Sequence, residues 1–284
     1  MPELPEVETV KRIIEPQIVG QKILSVTINH PQVIAYPGEH LFVELLTGQT
    51  VQSMSRRGKF LTIHFASGDR VVIHLRMTGQ LLIAPMDYPI EKHTHFIAEL
   101  SAGSELRYID VRRFGRFWYL RADETDAFTG QDKLGLEPLD ENLTAAYLQG
   151  NLGKRKKTIK EMLHDQSIVA GIGNIYSDEI LFASGVYPKE KCLDLDCDDW
   201  SRIAKAIKEI IAWGIDTNEM TAEEYLAGKG KEYRNTPHLR VYGRSGQLCA
   251  VCQSEIEKIT IGGRSSCYCP SCQMKKSIYS DLIK

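Results

Sequence analysis

Four cysteines near the C-terminus constrain this chain more than any other feature of its sequence. They form two pairs, Cys249-x2-Cys252 and Cys269-x2-Cys272, separated by sixteen residues. Each Cys-x-x-Cys turn presents two thiolates, and two such turns complete the tetrahedral shell of a structural zinc ion. Because protein fills all four positions, no position stays open for a catalytic water. The pattern therefore predicts one structural Zn2+ in a ribbon over 241–273, in preference to two disulfide bonds.

An arginine lies between the two cysteine pairs, in the segment IGGRSS at 261–266. Glycine lets a backbone come close to a phosphate, and arginine offers a two-pronged donor that matches phosphate oxygens. The segment is typical of a hairpin tip, so Arg264 is a candidate phosphate contact. Taken alone, however, such a segment is more often a solvated turn.

Overall composition limits the other classes of function. The chain has 284 residues, 43% of them apolar, which suits two domains of ordinary size. Seven cysteines are an odd number, so we expect a reducing cytoplasmic location and no secreted disulfide framework. No apolar run could span a bilayer, and the start MPELPE lacks the features of a secretory signal. The net charge of −2 means that nucleic-acid binding has to come from local basic patches.

The pattern of apolar residues changes twice along the chain. Residues 4–19 have the apolar spacing of a helix. Short β-branched or aromatic runs then predict an antiparallel sandwich or barrel, with strands at 22–29, 41–46, 60–65, 70–75, 96–100 and 117–120. Residues 129–142 lack periodicity and are expected to be a linker. Beyond it we expect helices at 143–149, 157–165, 174–184, 198–213 and 221–227. A mobile loop at 228–240, the ribbon at 241–273 and a loose end at 274–284 follow.

Three basic clusters interrupt the near-neutral background, at 56–59, 112–116 and 154–157. The first two each contain a glycine and adjoin or include a phenylalanine. Positive charge for phosphates and an apolar wedge for the base stack are what a protein needs to hold duplex DNA and extrude a base. The third cluster alone has the ordinary explanation of a solvated surface. The turn at 171–174 opens a predicted helix, whose first N–H groups are able to seat a phosphate.

The chain start offers a nucleophile. Removal of Met1 would leave Pro2 with a free secondary amine, and attack of that amine on an aldehyde carbon gives an iminium that is cationic without protonation. An α-amino group titrates near ~8 against ~10.4 for lysine, so more of it is neutral at pH 7. Glu3 beside it could move a proton to the sugar oxygen. Proline and glutamate are also common in first helical turns for structural reasons, which is the plainer alternative.

Taken together, these segments resemble the bacterial formamidopyrimidine-DNA glycosylases, also called 8-oxoguanine DNA glycosylases. The resemblance covers nearly the whole chain and lies in MPELPEVET (1–9), RRGK (56–59), HLRMTG (74–79), KHTH (92–95), DVRRFG (110–115), LGLEPL (134–139), the KKT-IK and GIGNIY stretches (156–176), YGRSG (242–246) and the zinc ribbon. It implies an α+β multidomain fold with DNA in a cleft. The expected domains are an N-terminal β-sandwich with flanking helices (1–135), a helical helix-two-turn-helix domain (136–240) and a zinc-ribbon hairpin with a tail (241–284).

The resemblance also implies a bifunctional enzyme and its catalytic residues. Such an enzyme excises oxidised purines, 8-oxoguanine and formamidopyrimidines, from duplex DNA through a Schiff base and then cleaves the strand by β,δ-elimination. Pro2 would be the nucleophile on the sugar C1′, and Glu3 its proton-transfer partner. Lys59 would donate a proton in β-elimination. Arg264 would serve δ-elimination and contact a phosphate.

Further residues are implied as DNA contacts. Three of them, Met77, Arg112 and Phe114, would fill the gap left by the extruded base, with Arg112 facing the orphaned cytosine. By pattern alone Met77 and Phe114 would be core residues. The other implied contacts are His93, Lys156 and Asn174. The loop 217–237 is the candidate lid over the lesion base.

Two alternatives stay open from the sequence. A relative of endonuclease VIII would act on oxidised pyrimidines with the same catalytic residues and zinc ribbon, although MPELPEVET and RRFG favour the purine enzyme. A zinc-dependent binder of damaged DNA without catalysis is the second, and the intact catalytic set argues against it.

Leu248 and Gln253 depart from the proline and glycine usual beside the family's zinc cysteines. We expect a monomer in the bacterial cytoplasm, associated with the nucleoid through DNA and with no membrane partner.

Overall fold

Two β-sheets account for most of the first 120 residues in the computed structural model, which describes residues 2–231 and 233–275. One sheet is antiparallel with the order β1-β7-β8-β6, and the other has the order β2-β9-β5-β4-β3, in which β2 and β9 pair in parallel. Ile63, Phe96 and Phe117 come from both sheets and share one buried core, which confirms the predicted sandwich. The strands are β1 (Ile23–Ile28), β2 (Ile34–Tyr36), β3 (Val51–Arg57), β4 (Phe60–Phe65), β5 (Arg70–His74), β6 (Gly79–Pro85), β7 (Thr94–Leu100), β8 (Ser104–Asp110) and β9 (Arg116–Leu120).

Helix α1 (Leu4–Ile18) forms where the apolar spacing predicts it. Val7, Val10 and Ile14 recur every three or four positions and are fully buried in the core of the sandwich. That spacing places all three on one face of a helix. Helix α1 contacts β3, β4 and β6, so the chain start is held against strands of both sheets.

The sequence pattern misassigns one element and does not reveal four strands. Residues 41–46, expected as a strand, belong to helix α2 (Glu39–Leu46). Phe42 and Leu46 are four positions apart and both buried, so a short apolar run that suits a strand here suits a helix. Strand β3 escapes the pattern because Val51 and Met54 are its two buried side chains, three positions apart. The other unpredicted strands are β2, β6 and β8.

The chain divides into two units of structure, and one of them is discontinuous. Unit 1 consists of Met1–Asp132 and Asn218–Tyr233, and unit 2 consists of Lys133–Thr217 and Arg234–Lys284. The first boundary falls inside 129–142, where the linker is expected. Of the expected loose end at 274–284, the part beyond Lys275 lies outside the described residues.

Residues 218–231 pack on the N-terminal sandwich. The segment contains a short helix, α7 (Ala222–Ala227), which begins at a capping box built on Thr221. Tyr225 is 2% exposed and belongs to the core that contains α1. Asn218 is fully buried and donates to a carboxylate oxygen of Glu6 over 3.5 Å. Much of the candidate lid at 217–237 therefore has a fixed place in unit 1; its Glu232 lies outside the described residues.

Unit 2 contains the expected helices except α7, which belongs to unit 1, and a two-stranded hairpin. Helix α5 packs against both α6 and β11, so the hairpin and the helices share one core. Within the described ranges, no helix is long and apolar enough to cross a membrane. The elements are α3 (Ala145–Leu152), α4 (Ile159–Leu163), α5 (Asn174–Ser184), α6 (Cys197–Thr217), β10 (Glu257–Ile261) and β11 (Arg264–Tyr268).

Candidate active site and zinc centre

The two residues proposed for proton transfer and nucleophilic attack lie at the start of helix α1. Pro2 is buried and Glu3, the residue before the helix, is 1% exposed. The carboxylate of Glu6 accepts the backbone N–H of Glu3 at 2.8 Å, as part of a capping box. Such a box satisfies donors that the helix itself leaves without partners. The capping role and a chemical role therefore coexist in the same few residues.

Lys59 lies in the two-residue turn of the β3–β4 hairpin, which is tied to helix α1. Gly58 in that turn has φ of 54°, a conformation that favours glycine. Arg56 donates to a carboxylate oxygen of Glu8 in α1 at 2.8 Å. Burial alone would raise the pKa of Glu8, but the hydrogen bond and charge of Arg56 outweigh it, so the pKa is lowered. Arg56, expected among the DNA-binding basic residues, is therefore engaged in fixing this hairpin to the helix.

His74 adjoins this turn, and the sequence did not assign it a role. It pairs with Phe60 across the β4–β5 ladder, and the two rings meet edge to face with centroids 4.5 Å apart. Burial, followed by the charges of Arg76 and Lys59, lowers the pKa of His74 to about 3. Its Nδ1 accepts the backbone N–H of Arg76 at 3.0 Å, so the remaining proton is on Nε2. His74 is thus a neutral hydrogen-bond donor in the electrostatic environment of Lys59.

The three residues expected to fill the base gap lie together on the surface of unit 1. Met77 and Phe114 are 40% and 45% exposed, so neither is a core residue. The guanidinium of Arg112 donates to the sulfur of Met77 at 3.0 Å and lies over the Phe114 ring, 4.7 Å from its centroid. Two loops from distant parts of the sequence thus present one apolar and cationic surface. His93, half-buried with φ of 72°, adjoins the same strand end through a backbone hydrogen bond to Asp110.

In unit 2 the structure brings two candidate phosphate contacts close together. Asn174 is the first residue of α5, and its side-chain amide donates to the carbonyl of Ser265 at 3.0 Å. Ser265 follows Arg264, which is exposed at the start of β11 beside a turn of Gly262 (φ 53°) and Gly263 (φ 75°). The hairpin tip predicted for Arg264 is therefore present. Lys156 is exposed in the connection between α3 and α4.

The hairpin that carries Arg264 is attached to helix α5 by a buried carboxylate. Asp178 accepts the hydroxyl of Ser266 at 2.5 Å and the backbone N–H of Cys267 at 2.9 Å. Further along, the side chain of Gln273 accepts the N–H of Cys269 and donates to the carbonyl of Val186. These contacts connect the hairpin and the second cysteine pair to helix α5 and to the segment that follows it.

The four expected zinc ligands converge at the base of this hairpin. Their Sγ atoms all lie within 4.8 Å of one another, with 3.3 Å between Cys252 and Cys269 and 4.0 Å between Cys249 and Cys272. A tetrahedral zinc ion with Zn–S bonds of ~2.3 Å separates its sulfurs by about 3.8 Å. The donor set and its spacing fit one structural zinc ion, as predicted. Cys267, on strand β11 of the same hairpin, lies outside this cluster.

Three family models match successive parts of the chain. They are the formamidopyrimidine-DNA glycosylase N-terminal domain at residues 1–117, the H2TH (helix-two-turn-helix) domain of the same family at 134–225, and a zinc finger found in FPG and IleRS at 246–273. Each match coincides with a part of the chain where the sequence predicts that element.

Curated relatives and solved structures agree with the family models. Formamidopyrimidine-DNA glycosylases of Desulforamulus reducens and Moorella thermoacetica are 42% and 41% identical to this chain, over 97% and 91% of it and 100% and 94% of their own lengths. Crystal structures of Lactococcus lactis FPG with DNA containing FAPY-dG or an abasic site match with a TM-score of 0.88, at 36% and 35% identity, covering 96% of this chain and 100% of theirs. The chain therefore belongs to the formamidopyrimidine-DNA glycosylase family.

Proposed function

We propose that this chain excises oxidised purines from duplex DNA and then cleaves the strand, with the nitrogen of Pro2 as the nucleophile. One observation carries the proposal: in a chain of this family, helix α1 begins directly after Pro2 and Glu3 and also holds the hairpin that contains Lys59. The Arg56–Glu8 ion pair and the bond from the Met54 N–H to Glu15 make that connection. Mature Pro2 requires loss of Met1, which lies outside the described residues.

The chemistry follows from a secondary amine. The nitrogen of Pro2 bonds to C1′ as the glycosidic bond breaks, and the base leaves with a proton. Glu3 protonates the sugar ring oxygen, which opens the ring and leaves a cationic iminium. The iminium acidifies C2′, so loss of a C2′ proton expels the 3′ phosphate with Lys59 as proton donor. A second elimination, assisted by Arg264, expels the 5′ phosphate and leaves a gap with phosphate ends.

The remaining site residues are proposed as contacts to the duplex. The exposed group of Met77, Arg112 and Phe114 has the cation and the apolar surface that a wedge requires. Asn174 supports a phosphate seat because it stands at a glycine-preceded helix start, where N–H groups point outward. We assign His93 and Lys156 to the same role. The domain limits 1–135, 136–240 and 241–284, a monomeric state and a cytoplasmic, nucleoid-associated location belong to the proposal as well.

A borohydride trapping assay tests the chemistry. The protein is incubated with duplexes that contain either 8-oxoguanine opposite cytosine or an oxidised pyrimidine, and the iminium is reduced to a stable adduct. We expect an adduct chiefly with the purine lesion, absent in Pro2→Gly and retained in Pro16→Ala, an exposed proline of the same helix.

The other outcomes separate the alternatives. An adduct chiefly on the pyrimidine would indicate an activity like that of endonuclease VIII. Binding to lesion DNA without any adduct would indicate a non-catalytic reader of damage. Trapping that persists after acetylation of the chain start would exclude Pro2 as the nucleophile.

A further inference from the structure

We infer that Asp110 is the positioning residue that holds the DNA-contacting loops of unit 1 in one arrangement. The inference rests on the proposed function, because it concerns the residues assigned there to the duplex. Asp110 is the last residue of β8 and is fully buried, whereas Val111 to Phe114 immediately after it are exposed. The carboxylate therefore lies directly beneath the surface that meets the base stack.

Both oxygens of the Asp110 carboxylate accept hydrogen bonds from the loops that carry the wedge. One oxygen accepts the Thr78 hydroxyl at 2.5 Å and the Arg112 N–H at 3.1 Å. The other accepts the Gly115 N–H and the Tyr108 hydroxyl, each at 2.9 Å. Thr78 follows Met77, and Gly115 follows Phe114, so one carboxylate binds the side chain next to Met77 and the backbone next to Phe114.

The backbone of Asp110 connects a third loop to the same point. Its N–H donates to the carbonyl of His93 at 3.1 Å, and its carbonyl is 2.8 Å from Nε2 of His95. All four candidate DNA contacts of unit 1 are thus within one residue of a group that Asp110 binds. They come from three loops, and Met77 and Arg112 are 35 positions apart in the sequence.

Close packing leaves these loops little freedom to move. A Cβ added to Gly115 would come within 1.6 Å of the Tyr108 hydroxyl, and one added to Gly79 would come within 2.5 Å of it. Arg113, between the two wedge residues of its loop, has φ of 61°, which costs a side-chain-bearing residue energy. Such a conformation persists where surrounding contacts hold it, and the bonds to Asp110 on both sides of Arg113 do so.

The charge state of Asp110 suits this role. Burial opposes its ionisation, but four donors to its carboxylate outweigh burial and lower the pKa. Burial and the neighbouring carboxylate raise the pKa of Tyr108, so its hydroxyl remains a donor. The network therefore keeps one protonation pattern through the neutral pH range, with an ionised acceptor at its centre.

The expected consequence concerns the step in which the wedge enters the stack. Extruding a base costs stacking energy, and side chains that are already in place recover it with the least loss of entropy. Without the Asp110 bonds, Met77 and the Arg112–Phe114 loop would lose their common support. Excision from duplex DNA should then slow, and the distinction between cytosine and adenine opposite the lesion should weaken, because Arg112 is the residue expected to face that base.

Three variants test this inference. Asp110→Asn keeps the volume but replaces one acceptor oxygen by an amide that cannot accept an N–H. Thr78→Val is milder, since it removes one donor to a carboxylate that remains ionised. Asp69→Asn is the matched control, because Asp69 also accepts a tyrosine hydroxyl (Tyr119, 2.6 Å) and a backbone N–H (Ala122, 3.0 Å) in unit 1.

The readouts are kcat and KM on duplexes with 8-oxoguanine opposite cytosine or adenine, and borohydride trapping on a single-stranded abasic oligonucleotide. For Asp110→Asn we expect duplex excision to fall about tenfold, which corresponds to ~1.4 kcal/mol, and the cytosine preference to shrink. Trapping on the single strand, which has no stack to enter, should stay within about twofold. Thr78→Val should give the same pattern at about threefold, and Asp69→Asn should match the wild type.

Three results would overturn the inference. One is a wild-type duplex rate and cytosine preference in both Asp110→Asn and Thr78→Val. Another is an equal loss on the duplex and on the single strand in both variants, since that would indicate general damage to the fold. A wild-type enzyme that forms no adduct on any substrate would overturn the proposed function and this inference with it.

Discussion

The ammonium nitrogen of Lys160 lies 2.5 Å from a carboxylate oxygen of Asp178, in an ion pair whose side chains are 2% and 0% exposed. The same carboxylate accepts the Ser266 hydroxyl and the Cys267 N–H from the zinc-binding hairpin. A single buried charge pair therefore joins helix α4, helix α5 and the strand that carries Arg264.

Breaking the Lys160–Asp178 pair from one side should be costly. Asp178→Asn leaves a buried ammonium without its counter-charge, so the free energy of unfolding should fall by about 3–5 kcal/mol. Adding Lys160→Met removes that stranded charge, and the double variant should recover at least ~1 kcal/mol. Urea unfolding of the zinc-loaded protein measures both.

The exposed pair Lys205–Glu209, with N···O 3.7 Å, is the control for this prediction. Glu209→Gln should change the unfolding free energy by less than ~0.5 kcal/mol because water screens the pair. For the buried pair, the contradicting outcome is additivity. If the losses of unfolding free energy in Asp178→Asn and Lys160→Met simply add in the double variant, Lys160 and Asp178 do not depend on each other.

Gln253, directly after the first Cys-x-x-Cys turn, should be less favourable for stability than glycine. Its φ is 62°, while its N–H donates to the carbonyl of Cys249 at 2.9 Å. A side chain in the left-handed region costs ~1–2 kcal/mol, and glycine removes this cost. About half of the gain is offset because glycine makes the unfolded chain more flexible. Gln253→Gly should therefore stabilise the protein by about 0.5–1 kcal/mol and slow the transfer of zinc to a competing chelator.

Gln247→Gly is the control, and it should lower the free energy of unfolding where Gln253→Gly raises it. Gln247 is exposed and its φ is not positive, so glycine there adds freedom to the unfolded chain and also removes the side-chain oxygen that accepts a hydrogen bond from Arg244 at 3.0 Å. We expect a loss of about 0.5–1 kcal/mol. If Gln253→Gly also destabilises the protein, the strain assigned to that position is absent.

His74 should make the protein sensitive to acid. Its pKa is about 3 in the folded protein against 6.5 in the unfolded chain. Above pH 6.5 the ring is neutral in both the folded and the unfolded state, so His74 does not reduce the free energy of unfolding there. As the pH falls from 6.5 towards 3, the unfolded chain binds a proton that the folded protein does not, so stability is lost by up to ~1.4 kcal/mol per pH unit.

Replacement of His74 by asparagine removes this titration and keeps an acceptor for the Arg76 N–H. The slope of unfolding free energy against pH should then be shallower between pH 6 and 4, as followed by urea titrations at each pH. His40→Asn, at an exposed histidine of α2, is the matched control variant. Equal slopes for the wild type and His74→Asn would contradict a His74 ring that stays neutral in the folded protein.

Features whose residues are close together in the sequence could be predicted from it. The zinc ligands follow from two Cys-x-x-Cys turns, because each short turn by itself places two sulfurs side by side. The bounds of α5 follow from a glycine-rich start and from Gly185, whose φ of 68° ends the helix. Helix α1 follows from apolar residues on one face. In these cases the determining contacts span a few positions, within reach of periodicity and capping rules.

Tertiary structure alone decided which distant segments meet. Nothing in the periodicity shows that Asp110 binds groups at 78, 93 and 115, or that Asn218 returns to Glu6 across more than two hundred positions. The same limit explains α2, since Phe42 and Leu46 suit either a strand or a helix until the core on which they pack is known. Hydrogen bonds and packing between remote residues depend on the folded path of the backbone, and that path leaves no repeating mark in the local sequence.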